Sequence, residues 1–332
     1  MNETAKELKS LLNSPKKIVI TTHRSPDGDA IGSSLALYHF LRQLRHSVSV
    51  ITPDNYADFL HWMPDNTDVI IYEEEQERAN SITKKADLIF MLDFNHIDRL
   101  STFSDIVLES KATKVLIDHH QDPDITIADL IFSDVTACST AELVFDIIEE
   151  IEMSNLLNKE IAECLYVGIM TDTGSFKYNS TTARTHKIVA KLIDAGAQNS
   201  KIHDLIYDNS SANRIKLLGY CLNEKLLLYP ENNAAIISLT AQELKRFNFK
   251  KGDTEGFVNY CLAIKGISFA AFITEKQGVV KLSLRSKGNV AVNEIAKKYF
   301  QGGGHINASG GVSQESVCQT IKKLEKIINN LK

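Results

Sequence analysis

The sequence has few cysteines, and they are scattered. Its 332 residues contain five, an odd number, and no two of them form a Cys-x-x-Cys pair. They are Cys138, Cys164, Cys221, Cys261 and Cys318. Isolated cysteines of this kind usually serve as small apolar residues in proteins of a reducing compartment. The pattern therefore argues against a disulfide-stabilised secreted protein and against a cysteine zinc site, and it favours the cytoplasm.

Long apolar runs and a surplus of basic residues are missing as well. No stretch approaches the roughly 18 apolar residues of a membrane-spanning helix, and no signal-peptide pattern opens the chain. The sequence has 37 Lys and Arg residues and 42 Asp and Glu residues, which gives a formal charge of −5. Sequence-independent binding to long nucleic acid requires basic residues that neutralise phosphates. Membrane proteins, secreted proteins and proteins that coat a long duplex are therefore disfavoured.

What the chain does contain is typical of globular domains. Hydrophobic residues make up 43% and charged residues 24% of the sequence, and at about 150 residues per domain the length predicts two domains. Short apolar runs alternate with helical patterns in the N-terminal half, which indicates a mostly parallel, open α/β sheet with helices on both faces. The predicted strands span residues 17–22, 47–51, 68–71, 87–93, 113–118 and 125–132, and the first long helix spans 30–45.

The second half begins with helical patterns and returns to strands. Helices are predicted over 159–172, 182–195 and 211–228, strands over 234–239, 267–274 and 279–284, and final helices over 291–300 and 316–331. We therefore predict a first α/β domain over 1–190, a helical linker over 191–230 and a smaller α/β domain over 231–332.

Aspartates and histidines are concentrated where predicted elements of the first domain end. The four clusters are His23-x-x-x-Asp27-Gly28-Asp29, Asp93, Asp118-His119-His120 and Asp172. Each cluster alone has a structural interpretation as a helix cap, a turn or a buried histidine pair. In an open α/β sheet, however, ligands bind beyond the carboxyl ends of the strands, where these clusters lie.

Four such clusters together favour a metal-dependent hydrolytic centre. Two divalent ions bridged by a carboxylate lower the pKa of a water molecule that then acts as the nucleophile. Oxygen ligands with a few imidazoles and no thiolate suit Mn²⁺ or Mg²⁺ better than structural zinc.

The predicted second domain carries a different pattern, a glycine run over residues 301–311 that includes Gly302, Gly303 and Gly304. With a helix-compatible segment after them, these glycines could present backbone N–H groups to a phosphate, although many glycine runs are flexible turns. Arg285, at the end of a predicted strand, could clamp a phosphate in a bidentate way or lie exposed on the surface. Arg99 is a lesser candidate for the same role.

These motifs, in this order, resemble those of the DHH phosphoesterases, and the glycine run from Gly302 to Gly310 resembles the signature of the DHH-associated C-terminal domain. The resemblance covers nearly the whole chain and is nearest to the short two-domain oligoribonucleases that are also pAp phosphatases, the nanoRNase group. Two departures stand out, because Gln301 and Ser309 occupy positions where the family commonly has glycine and alanine.

The resemblance implies the roles of the residues. His23, Asp27 and Asp93 would hold one Mn²⁺, and Asp29, Asp93, His119 and Asp172 the other. Asp118 would orient the histidine ligand, and His120 would face the scissile phosphate. The substrate would be bound from across an interdomain cleft by Arg285, Ser286, His305 and the three glycines.

The expected activity is Mn²⁺-dependent hydrolysis of RNA of about two to five nucleotides and of 3′-phosphoadenosine 5′-phosphate (pAp). Alternatives are hydrolysis of cyclic dinucleotides or pApA and a RecJ-like exonuclease activity on single strands. A metal-free nucleic-acid-binding scaffold is the contrasting non-enzymatic hypothesis. The expected partners are short RNA and nucleotide phosphates, without a membrane or a long duplex, and the sequence leaves homodimer formation open.

Overall fold

The structure is a computed structural model that describes residues 1–276 and 278–330. They divide into two compact units, one over Met1–Asn209 and the other from Ser210 onward. This division falls inside the stretch 191–230 that the sequence predicts as a linker. The predicted domain limits and the predicted interdomain cleft stay predictions, and the last two residues of the domain predicted over 231–332 lie outside the described residues.

The first unit alternates strands and helices. In chain order its elements are α1 (Glu3–Leu11), β1 (Lys17–Thr22), α2 (Gly28–Gln43), β2 (Ser47–Thr52), β3 (Ile70–Ile71), α3 (Gln76–Thr83), β4 (Leu88–Leu92), α4 (Ser104–Glu109), β5 (Thr113–Asp118), β6 (Leu130–Ser133), α5 (Thr140–Glu150), α6 (Lys159–Asp172), α7 (Ala183–Asp194) and α8 (Asn199–Tyr207).

The strands form one sheet in the order β3-β2-β1-β4-β5-β6, and every neighbouring pair is parallel. Alternate residues of each central strand enter different cores: Phe90 packs on one face of the sheet, while Ile89 and Met91 pack on the other. This burial on both faces confirms the predicted open α/β sheet. The strand order reverses between β1 and β4, and such a switch point opens a crevice at the carboxyl ends of the two strands.

One predicted strand of this unit, 125–132, is wrong in its first half. Asp124 accepts hydrogen bonds from both the backbone N–H and the hydroxyl of Thr126, at 2.9 and 2.6 Å. This local turn competes with strand pairing, and Ile125 is exposed instead of buried. The strand β6 therefore begins only at Leu130.

The second unit contains α9 (Ala212–Tyr220), β7 (Leu226–Tyr229), β8 (Ala234–Leu239), α10 (Ala241–Arg246), α11 (Phe257–Leu262), β9 (Phe269–Lys276), β10 (Val279–Ser286), α12 (Val292–Tyr299), β11 (Gly303–His305), β12 (Ala308–Ser313) and α13 (Val317–Ile328). Its sheet has the order β11-β12-β10-β9-β8-β7. Only β8 and β9 run parallel among the described pairs.

Two sequence predictions in this unit need correction. The helix predicted over 211–228 is wrong in its last residues. The helix α9 ends at Tyr220, a π-helical turn over Cys221–Lys225 follows it, and Leu226 to Tyr229 pair with β8 as an edge strand. The stretch over residues 301–311, where the sequence suggests that a helix-compatible segment follows the three glycines, is not helical either. It forms a β-hairpin of β11 and β12, because β12 is held along its length by β10. In the described part of the chain, no helix is long and apolar enough to cross a membrane.

Candidate metal centre

The first cluster lies at the switch point, where β1 leads into α2. Asp27 caps this helix, because its Oδ1 accepts hydrogen bonds from the N–H groups of Asp29 and Ala30, both at 3.1 Å. The cap aligns the start of α2 with the end of β1. It thereby places Asp27 and Asp29 beside His23, which follows the strand.

Close packing of α2 against α6 brings the distant Asp172 to the same place. A Cβ on Gly32 would lie 2.6 Å from the carbonyl oxygen of Cys164, and one on Gly168 would lie 2.7 Å from Oδ1 of Asp29. Only glycine permits such an approach, since real Cβ contacts are wider. The pair of helices therefore carries Asp29 at the start of α2 and Asp172 at the end of α6 to one edge of the sheet.

Asp93 stands in the middle of the centre. It follows β4 with a left-handed backbone (φ 65°), and its N–H donates to the carbonyl of Ile117 at 3.0 Å. Its Oδ2 lies 3.4 Å from Nε2 of His23, and its Oδ1 lies 3.5 Å from Nε2 of His119. The two oxygens of this single buried carboxylate thus face two different histidines.

The first ligand group consists of His23, Asp27 and Asp93, whose ligand atoms lie within 4.8 Å of one another. Nδ1 of His23 donates to the carbonyl of Arg24 at 2.9 Å, which leaves Nε2 as the atom that faces the carboxylates. Burial lowers the pKa of His23 and outweighs the opposing effect of the Asp27 carboxylate. A neutral imidazole with Nε2 turned inward is the form that binds a metal ion.

The second group contains Asp29, Asp93 and His119, also within 4.8 Å. Nε2 of His119 lies 3.3 Å from Oδ2 of Asp172 and 3.9 Å from Oδ2 of Asp29. The other ring nitrogen, Nδ1, donates to the carbonyl of Ala137 at 3.4 Å. Ligands about 2.1 Å from one ion lie about 3 to 4 Å from each other, so both groups have the spacing of metal ligands.

Asp118 and His120 form a pair beside these groups. Nδ1 of His120 donates to Oδ1 of Asp118 at 2.7 Å, and this bond, against the opposing effect of burial, lowers the pKa of Asp118. The structure therefore corrects one expected contact: Asp118 holds His120, whereas the Nδ1 of His119 is held by a backbone carbonyl. Asp118 is fully buried.

The electrostatics of the cluster fit divalent cations. The pKa of Asp93 is raised well above its usual range by burial and by the neighbouring carboxylates of Asp29 and Asp27. Burial likewise raises the pKa of Asp29, whereas the carboxylates of Asp172 and Asp29 raise the pKa of His119 although burial opposes the rise. Because buried carboxylates crowd together here, a cation bound among them would remove their repulsion. The donor set of carboxylate oxygens and imidazole nitrogens suits Mn²⁺ or Mg²⁺.

Residues at the start of α5 belong to the centre although no sequence motif predicted them. The backbone N–H groups of Thr140 and Ala141 donate to the two oxygens of Asp29, at 2.6 and 2.9 Å. The hydroxyl of Thr140 donates to Oδ1 of Asp93 at 3.0 Å. A local signal was present, because Ser139 caps this helix and Glu142 follows three residues later, as in a capping box. That signal marks a helix start and gives no hint of its partners.

Arg99 lies near the first ligand group. Its carbonyl accepts a hydrogen bond from the N–H of Arg24 at 2.7 Å, and its positive charge contributes to the lowered pKa of His23. The residue is exposed in the 3-10 segment that follows β4. This position fits a contact with an anionic group at the edge of the metal centre.

The second unit aligns Arg285 and His305 on one face of its sheet. Arg285 of β10 and His305 of β11 both pair with Ala308 of the intervening strand β12. Directly paired residues share a face, so the side chains of Arg285 and His305 flank Ala308. The two residues lie about 9–10 Å apart, which is two strand spacings. The adjacent row on this face consists of Ser283, Gly310 and Gly303, which are all small. Arg285 and His305 therefore border a shallow floor.

The three predicted glycines differ in their surroundings. Gly303 belongs to the floor, and a Cβ added there would meet no heavy atom within 4 Å. Gly302 and Gly304 face the other way, where a Cβ would lie 2.0 Å from the carbonyl of Gly310 or 2.6 Å from that of Ala308. Only the glycine at position 303 leaves open space, and the other two allow backbones to approach each other.

Ser286 points to the opposite face from Arg285 and is 7% exposed. Its hydroxyl donates to the carbonyl of Val290 at 2.6 Å and accepts a hydrogen bond from the amide of Asn307 at 2.8 Å. These bonds tie the turn after β10 to the hairpin, so the geometry fits a structural role better than the predicted contact with substrate.

Two family models match the chain. The model described as the DHH family, N-terminal domain, matches residues 17–169, and the model of the DHHA1 domain matches residues 233–331. The bifunctional oligoribonuclease and PAP phosphatase NrnA of Bacillus subtilis is 31% identical over 297 residues, which cover 88% of each chain.

Two solved structures are similar to this chain. An exopolyphosphatase-related protein from Bacteroides fragilis is 41% identical, with a TM-score of 0.94 over 98% of this chain and 96% of that one. RecJ from Thermus thermophilus, solved with Mn²⁺, is 15% identical, with a TM-score of 0.58 over 99% of this chain and 55% of RecJ. The likeness to RecJ concerns the fold alone.

Proposed function

Since the chain belongs to the DHH phosphoesterase family, we propose that it hydrolyses short RNA oligonucleotides to mononucleotides and pAp to AMP with the help of two Mn²⁺ ions. The Bacillus subtilis relative bears both activities in its name. The formal charge of −5 disfavours long nucleic acid as the main substrate.

One observation carries the proposal, the position of Asp93. Its two oxygens face His23 and His119 at 3.4 and 3.5 Å, which suits a carboxylate shared by two ions. In this proposal His23, Asp27 and Asp93 would hold one ion, and Asp29, Asp93, His119 and Asp172 would hold the second ion. When bound, such ions supply Lewis-acid stabilisation of phosphoryl oxygens and lower the pKa of a water molecule.

The remaining residues position the substrate. Asp118 fixes the ring of His120 through the 2.7 Å bond to Nδ1, and we assign His120 to a contact with the scissile phosphate. In the second unit, the floor bordered by Arg285 and His305 offers a guanidinium, an imidazole and exposed backbone to a terminal phosphate and its nucleoside. Arg99 would add a positive charge near the first ligand group.

A cytoplasmic location is part of the proposal. Four of the five cysteines are buried as free thiols, and Cys318 is exposed. Unpaired thiols are typical of a reducing compartment.

The proposal is tested by comparing kcat/KM across substrates in the presence of Mn²⁺, Mg²⁺ or EDTA. The panel contains pAp, pApA, cyclic di-AMP, RNA of two to five nucleotides, long single-stranded DNA and inorganic polyphosphate, the last because of the Bacteroides fragilis relative. We expect the highest kcat/KM with Mn²⁺ for short RNA and pAp, and no turnover in EDTA.

Each alternative has its own outcome. A preference for cyclic di-AMP, pApA, polyphosphate or long single-stranded DNA would replace the proposed substrates while keeping the phosphoesterase. A protein that binds no Mn²⁺ and remains inert on the whole panel would support the nucleic-acid-binding scaffold instead.

A further inference from the structure

The segment Ala137–Ala141, which leads into α5, contacts three of the proposed metal ligands. The carbonyl of Ala137 accepts from Nδ1 of His119, and the backbone N–H groups of Thr140 and Ala141 donate to Asp29. The side chain of Thr140 reaches the third ligand, Asp93, through its hydroxyl. These ligands come from three different motifs, so this one segment ties the motifs together.

The hydroxyl of Thr140 is the part of this segment that can set the orientation of Asp93. It donates to Oδ1 at 3.0 Å, the oxygen that faces His119, while Oδ2 faces His23. Both residues are buried, with Thr140 at 0% and Asp93 at 2% exposure, so water does not replace the bond readily. A hydrogen bond to one carboxylate oxygen fixes the rotation of the group about its last side-chain torsion.

The start of α5 is itself firmly held. Glu142 is buried and accepts hydrogen bonds from the thiol of Cys138 at 2.7 Å and from the hydroxyl of Thr185 at 3.1 Å. Thr185 lies on α7, so the first turn of α5 is anchored to a neighbouring helix. A donor on such a support keeps its direction when charge on the centre changes, which is what positioning of ligands requires.

We propose that Thr140 is a positioning residue that holds the shared carboxylate of Asp93 in its bridging orientation. The inference rests on the proposed function, since it takes Asp93 to be shared by two ions. Outer hydrogen bonds of this kind typically change metal affinity or activity by about 10–100-fold when removed.

The test measures Mn²⁺ affinity by calorimetry in wild type and in two variants of the full chain. Thr140→Val keeps the shape and removes the hydroxyl, whereas Thr140→Ser keeps the hydroxyl and removes the methyl group. We expect Thr140→Val to weaken Mn²⁺ binding by about 10-fold or more, and Thr140→Ser to stay within about threefold of wild type. The kcat for the best substrate should follow the same order.

Thr83→Val is the matched control, because Thr83 is also fully buried in the first unit and donates to a helical carbonyl, that of Ala79, at 2.8 Å. It should leave Mn²⁺ affinity unchanged. Melting temperatures in EDTA report folding separately for all variants, so a variant that fails to fold is recognised. If Thr140→Val does not fold, Thr140→Ser tests the proposal instead. A loss of Mn²⁺ affinity in folded Thr140→Ser contradicts the proposal.

Two further outcomes overturn this inference alone: wild-type affinity in Thr140→Val, or an equal loss in Thr140→Val and Thr140→Ser. If wild type itself bound no Mn²⁺, the proposed function would fail first, and the two failures are thereby distinguished.

Discussion

The metal centre of the first unit and the glycine-rich hairpin of the second differ in what presents the functional groups. In the first unit, the groups are side chains placed by the ends of parallel strands, and most of them are buried. In the second, the floor beside Arg285 and His305 is formed by residues that have almost no side chain. The metal centre concentrates charged side chains, whereas the hairpin leaves open space next to the guanidinium of Arg285.

The difference follows from the two sheet types. Parallel strands end at the same edge, so β1, β4 and β5 deliver their following residues to one point. In the second unit, the strands β10, β12 and β11 run antiparallel and place residues in rows across a face. The edge of a parallel sheet suits a compact ion, whereas a flat antiparallel face suits an extended molecule such as a nucleotide.

Replacing the central carboxylate should give the largest effect and should separate chemistry from folding. Asp93→Asn keeps a residue that tolerates the left-handed backbone but removes the charge that two ions would share. We expect kcat to fall by at least about a thousandfold. Steady-state kinetics with short RNA and pAp measure this loss.

The same variant should not weaken the metal-free fold. Folding raises the pKa of Asp93 above its unfolded value of 3.8, so the stability linked to its proton is present below that pH and is lost as pH rises towards the folded pKa. Asparagine does not titrate, so Asp93→Asn avoids this loss of stability. Its melting temperature in EDTA at pH 7 should therefore equal or exceed that of wild type. Asp122→Asn, at an exposed residue with φ 52°, is the matched control for both measurements. A folded Asp93→Asn protein with wild-type kcat would contradict the central role of this carboxylate.

The first unit was the easier one to predict from sequence. Its helices and strands have clear periodicity, and β5 and α6 begin and end at the predicted residues. Strand ends are also where ligands gather, so the aspartates and histidines could be grouped before their distances were known. The fold class and the family are confirmed, whereas the roles of the individual site residues stay predictions.

The contacts that sequence reasoning missed are long-range or lack a pattern. Thr140 meets Asp29 across 111 residues, and a capping signal says nothing about such a partner. Glycines carry no hydrophobic periodicity, so the hairpin could not be told from a loop that precedes a helix. Its pairing is dictated by β10, a tertiary partner that local sequence does not reveal.

Removing the guanidinium of Arg285 should affect binding more than chemistry. We expect Arg285→Ala to raise KM by about 10–100-fold, because hydrogen bonds to charged groups contribute about 1.5–3 kcal/mol. Its bound manganese, measured by elemental analysis, should match that of wild type. Lys281→Ala, on the same face of the same strand, controls for a general loss of positive charge. A drop in bound manganese as large as the rise in KM would show that Arg285 supports the metal centre. It would contradict the assignment of metal binding to the first unit and substrate binding to the second.

The glycines of the hairpin should give the smallest change in activity and the sharpest contrast within one strand. Gly303→Ala adds a methyl group where no atom lies within 4 Å, so the melting temperature should stay at the wild-type value. If substrate rests on this floor, the methyl group should raise KM by about tenfold, which corresponds to about 1.4 kcal/mol.

Gly304→Ala is the matched variant on the opposite face. There φ is +135° and the new Cβ would lie 2.6 Å from the carbonyl of Ala308, so we expect a loss of about 1–3 kcal/mol in stability. Thermal unfolding and KM, measured on both variants, separate the two roles. A Gly303→Ala protein with unchanged KM would mean that the open floor is not used by substrate, and that the glycines serve only the packing of the hairpin.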